Sequence, residues 1–152
     1  MRYVIAASRQ ATVDSCRAVL GAREQLEFRL GSVPEAGEDC DAAILNFVLA
    51  HERYGGSPIV GLAQALINNR GDGAPRLILA TPPMSIKTAS DAATDADIES
   101  AYLNMLKSCM AVYVDVCGDP PEAKILIHVE GAGIDRPNLN LALRALSDLL
   151  EM

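Results

Sequence analysis

The stretch that most constrains this chain is Ala123 to Asn138, reading A-K-I-L-I-H-V-E-G-A-G-I-D-R-P-N. It opens with an apolar run, Ile125, Leu126, Ile127 and Val129. A short run of that kind, rich in β-branched residues, predicts a strand buried on both faces, as in a parallel sheet. The run stops at Gly131-Ala132-Gly133. Glycines without a Cβ let the backbone turn tightly and approach a ligand closely. Pro137 suits the first turn of a helix, and Leu139, Ala142, Leu143, Leu146, Leu149 and Leu150 then recur at helical spacing. The stretch therefore predicts strand, glycine turn, helix, with residues 123–129 as an interior strand. In an open α/β sheet ligands sit beyond the carboxyl ends of such strands, and free amides at a helix start favour an anion. An ordinary tight strand-to-helix connection accounts for the same pattern.

Composition narrows the function. At 152 residues the chain is long enough for one domain with a full core. Aromatic residues make up only 4%, with no Trp, which argues against stacking platforms for nucleic acid. A net charge of −7 makes the chain a poor general binder of phosphate backbones. A small nucleotide-like ligand stays compatible, because backbone amides can supply the positive end. Cys16, Cys40, Cys109 and Cys117 form no C-x-x-C pair and read as free, mostly buried thiols in a reducing compartment. With two histidines, neither at ligand spacing to a cysteine pair, no metal site is expected, nor any cofactor. No apolar run reaches the ~18 residues of a membrane span. The first residues lack a signal-peptide shape. These features predict a cytoplasmic protein that does not engage membranes; an oligomer is compatible with them.

Tyr3 to Ala7 reads as a first strand, followed by a helix capped by Ser8 or Thr12, with Val13, Cys16, Val19 and Leu20 as its apolar stripe and Gly21 near its end. Leu26, Phe28 and Leu30 alternate with charged residues, a strand with one wet face that closes at Gly31-Ser32-Val33-Pro34. Glu35 to Asp41 reads as an acidic loop. Ala42 to Asn46 reads as a strand, with an irregular segment after it and a glycine-containing loop from His51 to Pro58. Leu62 to Ile67 fits a short helix or a strand, and Asn68 to Pro75 is a turn. Leu77 to Ala80 is another buried strand, ended by Pro82-Pro83, with a polar loop from Met84 to Thr94. Thr94 or Asp95 caps a long helix with acids in its first turn and Ile98, Tyr102, Met105, Cys109, Val112 and Val116 on its apolar face. Strands and helices alternate, with two or three central strands lacking a helix between them. That pattern predicts a three-layer α/β/α sandwich with a mixed central sheet.

In series, several segments resemble the macro domain, the ADP-ribose-binding fold. Leu26 to Leu30 with Gly31-Ser32-Val33 resembles the family's strand and Gly-Asp-Ile turn. Ile44-Leu45-Asn46 resembles the start of its Asn-Ala-Ala-Asn motif. Gly61-Leu62-Ala63, the turn at Asn69 to Pro75 and the strand Arg76 to Pro82 resemble its Gly-x-Ala strand, loop and next strand. The helix around Tyr102 looks like the one with the family's Leu-x-x-Tyr pattern, and Gly131-Ala132-Gly133-Ile134 with Pro137 looks like its second phosphate loop. The strand and helix before residue 25 resemble the N-terminal extension of some bacterial and phage members. The resemblance covers nearly the whole chain and implies a single macro-domain-like domain over 1–152. It implies a module binding ADP-ribose or a related nucleotide diphosphate. The implied ligand-binding residues are Ser32 near the base, Asn46 near a ribose, Gly55 and Gly56 as a remnant of the first phosphate loop, and Gly131, Ala132, Gly133, Ile134 and Asp135 around the phosphates.

The departures are specific. The family's adenine-binding Asp is Ser32, the second motif Asn falls on Leu49, and the aromatic over the distal ribose falls on Asp135. Matching Gly61-Leu62-Ala63 leaves no room for the helix after the first phosphate loop, so that loop is shortened. In the alternative alignment Gly55 to Asn68 forms loop and helix, and the Gly-x-Ala strand is lost. The hairpin distance from Gly61 to Leu77 favours the first. Alternative functions are a hydrolase of ADP-ribose derivatives, which the loss of the second Asn argues against, and a pocket-less fold acting through protein contacts. His51-Glu52 reads as an exposed loop pair. His128 and Glu130 share one face next to the glycine turn, with Glu130 the better ligand contact. Asp135 reads as a helix cap, and no serine has a G-x-S-x-G context.

Overall fold

The computed structural model describes residues 1–83 and 94–152. The expected loop from Met84 to Thr94 falls outside them, save Thr94. In chain order the elements are β1 (Arg2–Ala7), α1 (Gln10–Leu20), β2 (Leu26–Leu30), α2 (Val33–Ala36), β3 (Ala42–Leu45), α3 (Phe47–Tyr54), β4 (Gln64–Ile67), β5 (Leu77–Ala80), α4 (Asp95–Cys117), β6 (Lys124–His128) and α5 (Leu139–Leu150), the last preceded by a 3-10 turn, Arg136–Asn138. The strands form one mixed sheet in the order β2-β1-β6-β3-β5-β4. All neighbours pair in parallel except β4, which runs antiparallel to β5. The expected three-layer α/β/α sandwich is the fold of this chain.

The strand at the centre is the one its unbroken apolar run predicts. β6 lies between β1 and β3, with Val4 and Ala43 both in register with Leu126, and Ile5 and Ile44 with Ile127. Alternate residues enter opposite cores, because successive side chains leave a strand on opposite faces. Ile125 and Ile127 pack with Val13 and Cys16 of α1, Cys109 of α4, and Leu143 and Leu146 of α5. Leu126 packs on the other face with Val4, Ala43, Ile78, Ala36 of α2 and Ala50 of α3. So α1, α4 and α5 cover one face, and α2 and α3 the other.

Several local expectations need correction. Phe47–Tyr54 is a helix, not an irregular segment, and it absorbs His51 to Tyr54 from the expected loop. Asn46 starts it, its Oδ1 accepting from Val48 N–H at 3.0 Å, and Gly55 ends it at φ 93°. Val48 is the one β-branched residue in that helix, so the bias toward strand stops at Leu45. Where the expected strand-closing turn runs into the expected acidic loop, Val33–Ala36 forms a helical turn, with Ser32 and Glu35 in a reciprocal capping box and Pro34 in its first turn. Neither Ser8 nor Thr12 caps α1; Arg9 holds the cap position without a side-chain bond. Val19 and Val116 are exposed rather than buried. Thr94 caps α4 as expected, with Asp97 completing a capping box. Residues 61–67 resolve as a strand from Gln64, so no helix crosses Gly61 to Asn68, and Gly55-Gly56 lies in the short connection from α3 to β4.

Candidate functional site

The carboxyl edge of the sheet gathers three turns. β6 ends at His128, and the chain folds through Glu130 to Ile134 before the 3-10 turn. Ala132 N–H donates to the His128 carbonyl at 2.7 Å, Gly133 N–H to that of Glu130 at 3.1 Å, and Ile134 N–H to that of Val129 at 3.0 Å. Gly131 N–H donates to Nδ1 of His128 at 3.0 Å. The four amides offered by the sequence as an anion cradle are thus each hydrogen-bonded within the turn.

His128 ties this turn to the end of β2. Its ring is buried, and Nε2 lies 2.8 Å from the carbonyl oxygen of Gly31. Because Nδ1 accepts from Gly131, the proton resides on Nε2, which donates to Gly31. Glu130 Oε2 lies 3.5 Å from Nδ1, but that nitrogen carries no proton to offer, so the proximity is not an ion pair. Packing reinforces the link: a Cβ built on Gly131 would sit 3.0 Å from Cγ2 of Val33.

Asn46 closes the third side. Its N–H donates to the carbonyl of Gly131 at 2.8 Å. Its side chain lies across Gly133, where a Cβ would come within 2.6 Å of Nδ2, and Gly133 also has φ 77°, a left-handed value that glycine alone adopts cheaply. Nδ2 has no protein acceptor among the described residues and remains a free donor. Ser32 sits beside this group, but its hydroxyl donates to Glu35 Oε1 at 2.8 Å and accepts from Glu35 N–H at 3.3 Å. The bond from the hydroxyl, and then the one from Ser32 N–H to the same oxygen at 3.1 Å, hold the Glu35 carboxyl below its usual range. Asp135 is exposed and makes no side-chain cap, unlike the reading from sequence. Tyr102, whose hydroxyl burial pushes up, meets the backbone of Asp135 and the side chain of Asn138.

The structure therefore brings together Ser32, Asn46, Gly131, Ala132, Gly133 and Ile134, with Asp135 at their margin. Gly55 and Gly56 stand apart: a Cβ on Gly56 would meet His51 and Leu66. His51 and Glu52 make no pair; Nδ1 of His51 lies 2.9 Å from the Gly55 carbonyl at the end of α3. Neighbours along a helix point apart, whatever their chemistry.

Beside the turn, on the α1 and α5 face, opens a cavity of about 340 Å³ lined by Arg9, Thr12, Glu130, Ile134 and Arg136 among others. Glu130 accepts there from Ser8 N–H at 3.2 Å. Arg9 and Thr12 escaped the sequence reading; the available signal was a cation just after a predicted parallel strand. Among the described residues no group of His, Cys, Asp and Glu converges to hold a metal ion, and no helix is long and apolar enough to cross a membrane.

No protein-family model and no curated protein matches this chain.

Proposed function

We propose that this protein is a macro-domain-like module that binds ADP-ribose or a related nucleotide diphosphate at the carboxyl edge of its sheet. The supporting observation is the switch in chain direction between β6 and β3. These strands are neighbours, yet the chain leaves β6 toward α5 on one face and β3 toward α3 on the other. A reversal of this kind parts the loops and leaves the ligand crevice of open α/β sheets. Asn46 and the 131–134 turn stand at this switch point, in contact with each other, and Ser32 lies beside them. The free Nδ2 of Asn46 suits a ribose hydroxyl. With the turn amides already bonded, a diphosphate there gains little from them unless the turn rearranges, so modest affinity is expected. Binding is favoured over hydrolysis because Leu49, at the place of the second motif Asn, lies on α3 and offers no polar atom to position water.

Calorimetric titration with ADP-ribose tests the reading. Micromolar binding, with amide shifts at Asn46 and Gly133, supports it. No heat at millimolar ligand favours the protein-interaction reading, which has its own observation: Val48, Ile59, Val60, Leu62 and Ile67 are exposed around the β4 edge.

A further inference from the structure

Arg9 and Arg136 both line the cavity beside the turn, and neither forms an ion pair with a carboxylate among the described residues. Thr12 lines it too. It is nine-tenths buried, at 9% exposure, and its hydroxyl has no hydrogen-bond partner among the described residues. No side-chain polar atom sealed in the interior is left unmet among those residues, so the Thr12 hydroxyl keeps accessible surface where the residue lines this cavity and the space next to it. Arg9 and Thr12 belong to the start of α1, which has no side-chain cap and adds the positive end of an eleven-residue helix. The Glu130 carboxylate lines the same space next to the start of α1, where it accepts from Ser8 N–H at 3.2 Å, and is an acceptor only. Two forked donors, one hydroxyl and one helix start make an anion-recognising set; the carboxylate among them would repel a bare anion but accept from a hydroxyl. The volume lies at the small end of ligand pockets.

We infer that this cavity is a second binding site, taking a phosphate monoester of a small hydroxylated compound such as a sugar phosphate. The phosphate sits between Arg9, Arg136 and Thr12, and a hydroxyl on the neighbouring carbon frame donates to Glu130. The site stands on side chains outside the β6–β3 crevice and does not depend on that crevice binding anything.

The test uses the full chain, isotopically labelled, with ribose 5-phosphate, inorganic phosphate and ribose as separate probes. Ribose 5-phosphate should shift the amides of Ser8 to Val13 and Ile134 to Leu139 with a dissociation constant of about 1 mM or tighter. Ribose should do nothing, and inorganic phosphate should bind several-fold more weakly. Arg9→Gln with Arg136→Gln should weaken the sugar phosphate about tenfold or more while leaving the melting temperature in place, as both side chains are exposed. Glu130→Gln should weaken ribose 5-phosphate yet strengthen inorganic phosphate. Absence of shifts in these two segments at about 10 mM probe overturns the proposal. So does unchanged affinity in the double variant, or equal affinity for the two phosphates.

Discussion

Replacing His128 by Leu removes the side chain that hydrogen-bonds both the β2 end and the glycine turn. The loss comes from its two hydrogen bonds. Gly131 is buried, so its N–H, now without Nδ1 at 3.0 Å, is left unmet in the interior at about 2–3 kcal/mol. Gly31 is only half-buried, so its carbonyl recovers part of its loss from water, and about 1 kcal/mol is a fair figure there. Leucine adds apolar burial worth about 1 kcal/mol in return. The net expectation is a destabilisation of about 2–3 kcal/mol. At about 3 °C per kcal/mol for a chain of this size, the melting temperature should fall by about 6–9 °C. His128→Asn keeps an oxygen near the position of Nδ1 and should lose only the Gly31 bond, about 1 kcal/mol. Urea unfolding followed by circular dichroism gives the energies, and hydrogen exchange at Gly131 gives the location. That amide should stay protected in the parent and in His128→Asn and exchange faster in His128→Leu. A loss below about 0.5 kcal/mol in His128→Leu, or equal losses in the two variants, would refute the bridging role.

Gly133→Ala should cost about 1–3 kcal/mol, from its left-handed φ of 77° and from the forced displacement of Asn46, and thermal unfolding reads it; a neutral substitution would mean that the turn can change shape freely. At the opposite edge of the sheet, Arg29 and then Lys124 hold the Asp39 carboxyl well below its usual range, and Arg29 does the same for Glu27. Carboxyls depressed on folding contribute above their unfolded values, near pH 4, and the contribution disappears as pH falls through the folded ones, so the urea midpoint should drop between pH 7 and pH 3 by more in the parent than in Arg29→Met. Burial pushes the Cys109 thiol up to about 12 and those of Cys16 and Cys40 up to about 11, whereas Cys117 is exposed. A disulfide reagent at pH 8 should therefore modify Cys117 fast, Cys40 slowly, and Cys16 and Cys109 only after unfolding; equal rates for all four would contradict the packing.

The sheet was legible where burial is two-sided. Ile125 to Val129 and Ile44-Leu45 announce interior strands because nothing in their core-facing pattern is polar enough to break them. The helix after Asn46 was not legible in its short apolar run, since an eight-residue helix leaves barely two turns of periodicity to read. Asn46 itself was the clue, as an amide side chain suited to the first position of a helix. At the site, the positions of Ser32, Asn46 and the glycine turn along one sheet edge could be inferred from strand ends. No pattern of residue types revealed that the turn's amides are bonded inside the turn. Three of them meet backbone carbonyls, and that of Gly131 depends on the imidazole of a residue three places earlier pointing back at it. Likewise, Arg9 and Arg136 lie far apart in the chain and meet at one cavity only because β1 and β6 are neighbours.

The placing of β6 has a consequence for how the chain is made. Strands β2 and β1 form one ribbon, and β3, β5 and β4 form another; β6 alone joins them, and it is the last of the six to leave the ribosome. Until residues 124–128 emerge, β1 and β3 each present a bare apolar edge to the other side of a gap, the arrangement that invites pairing with a foreign strand. Folding must wait for contacts more than a hundred residues apart in sequence, such as Ile5 with Ile127, and is expected to be slow for that reason. During synthesis the half-made protein is therefore at its most aggregation-prone just before its central strand arrives, when a chaperone would have the most to shield.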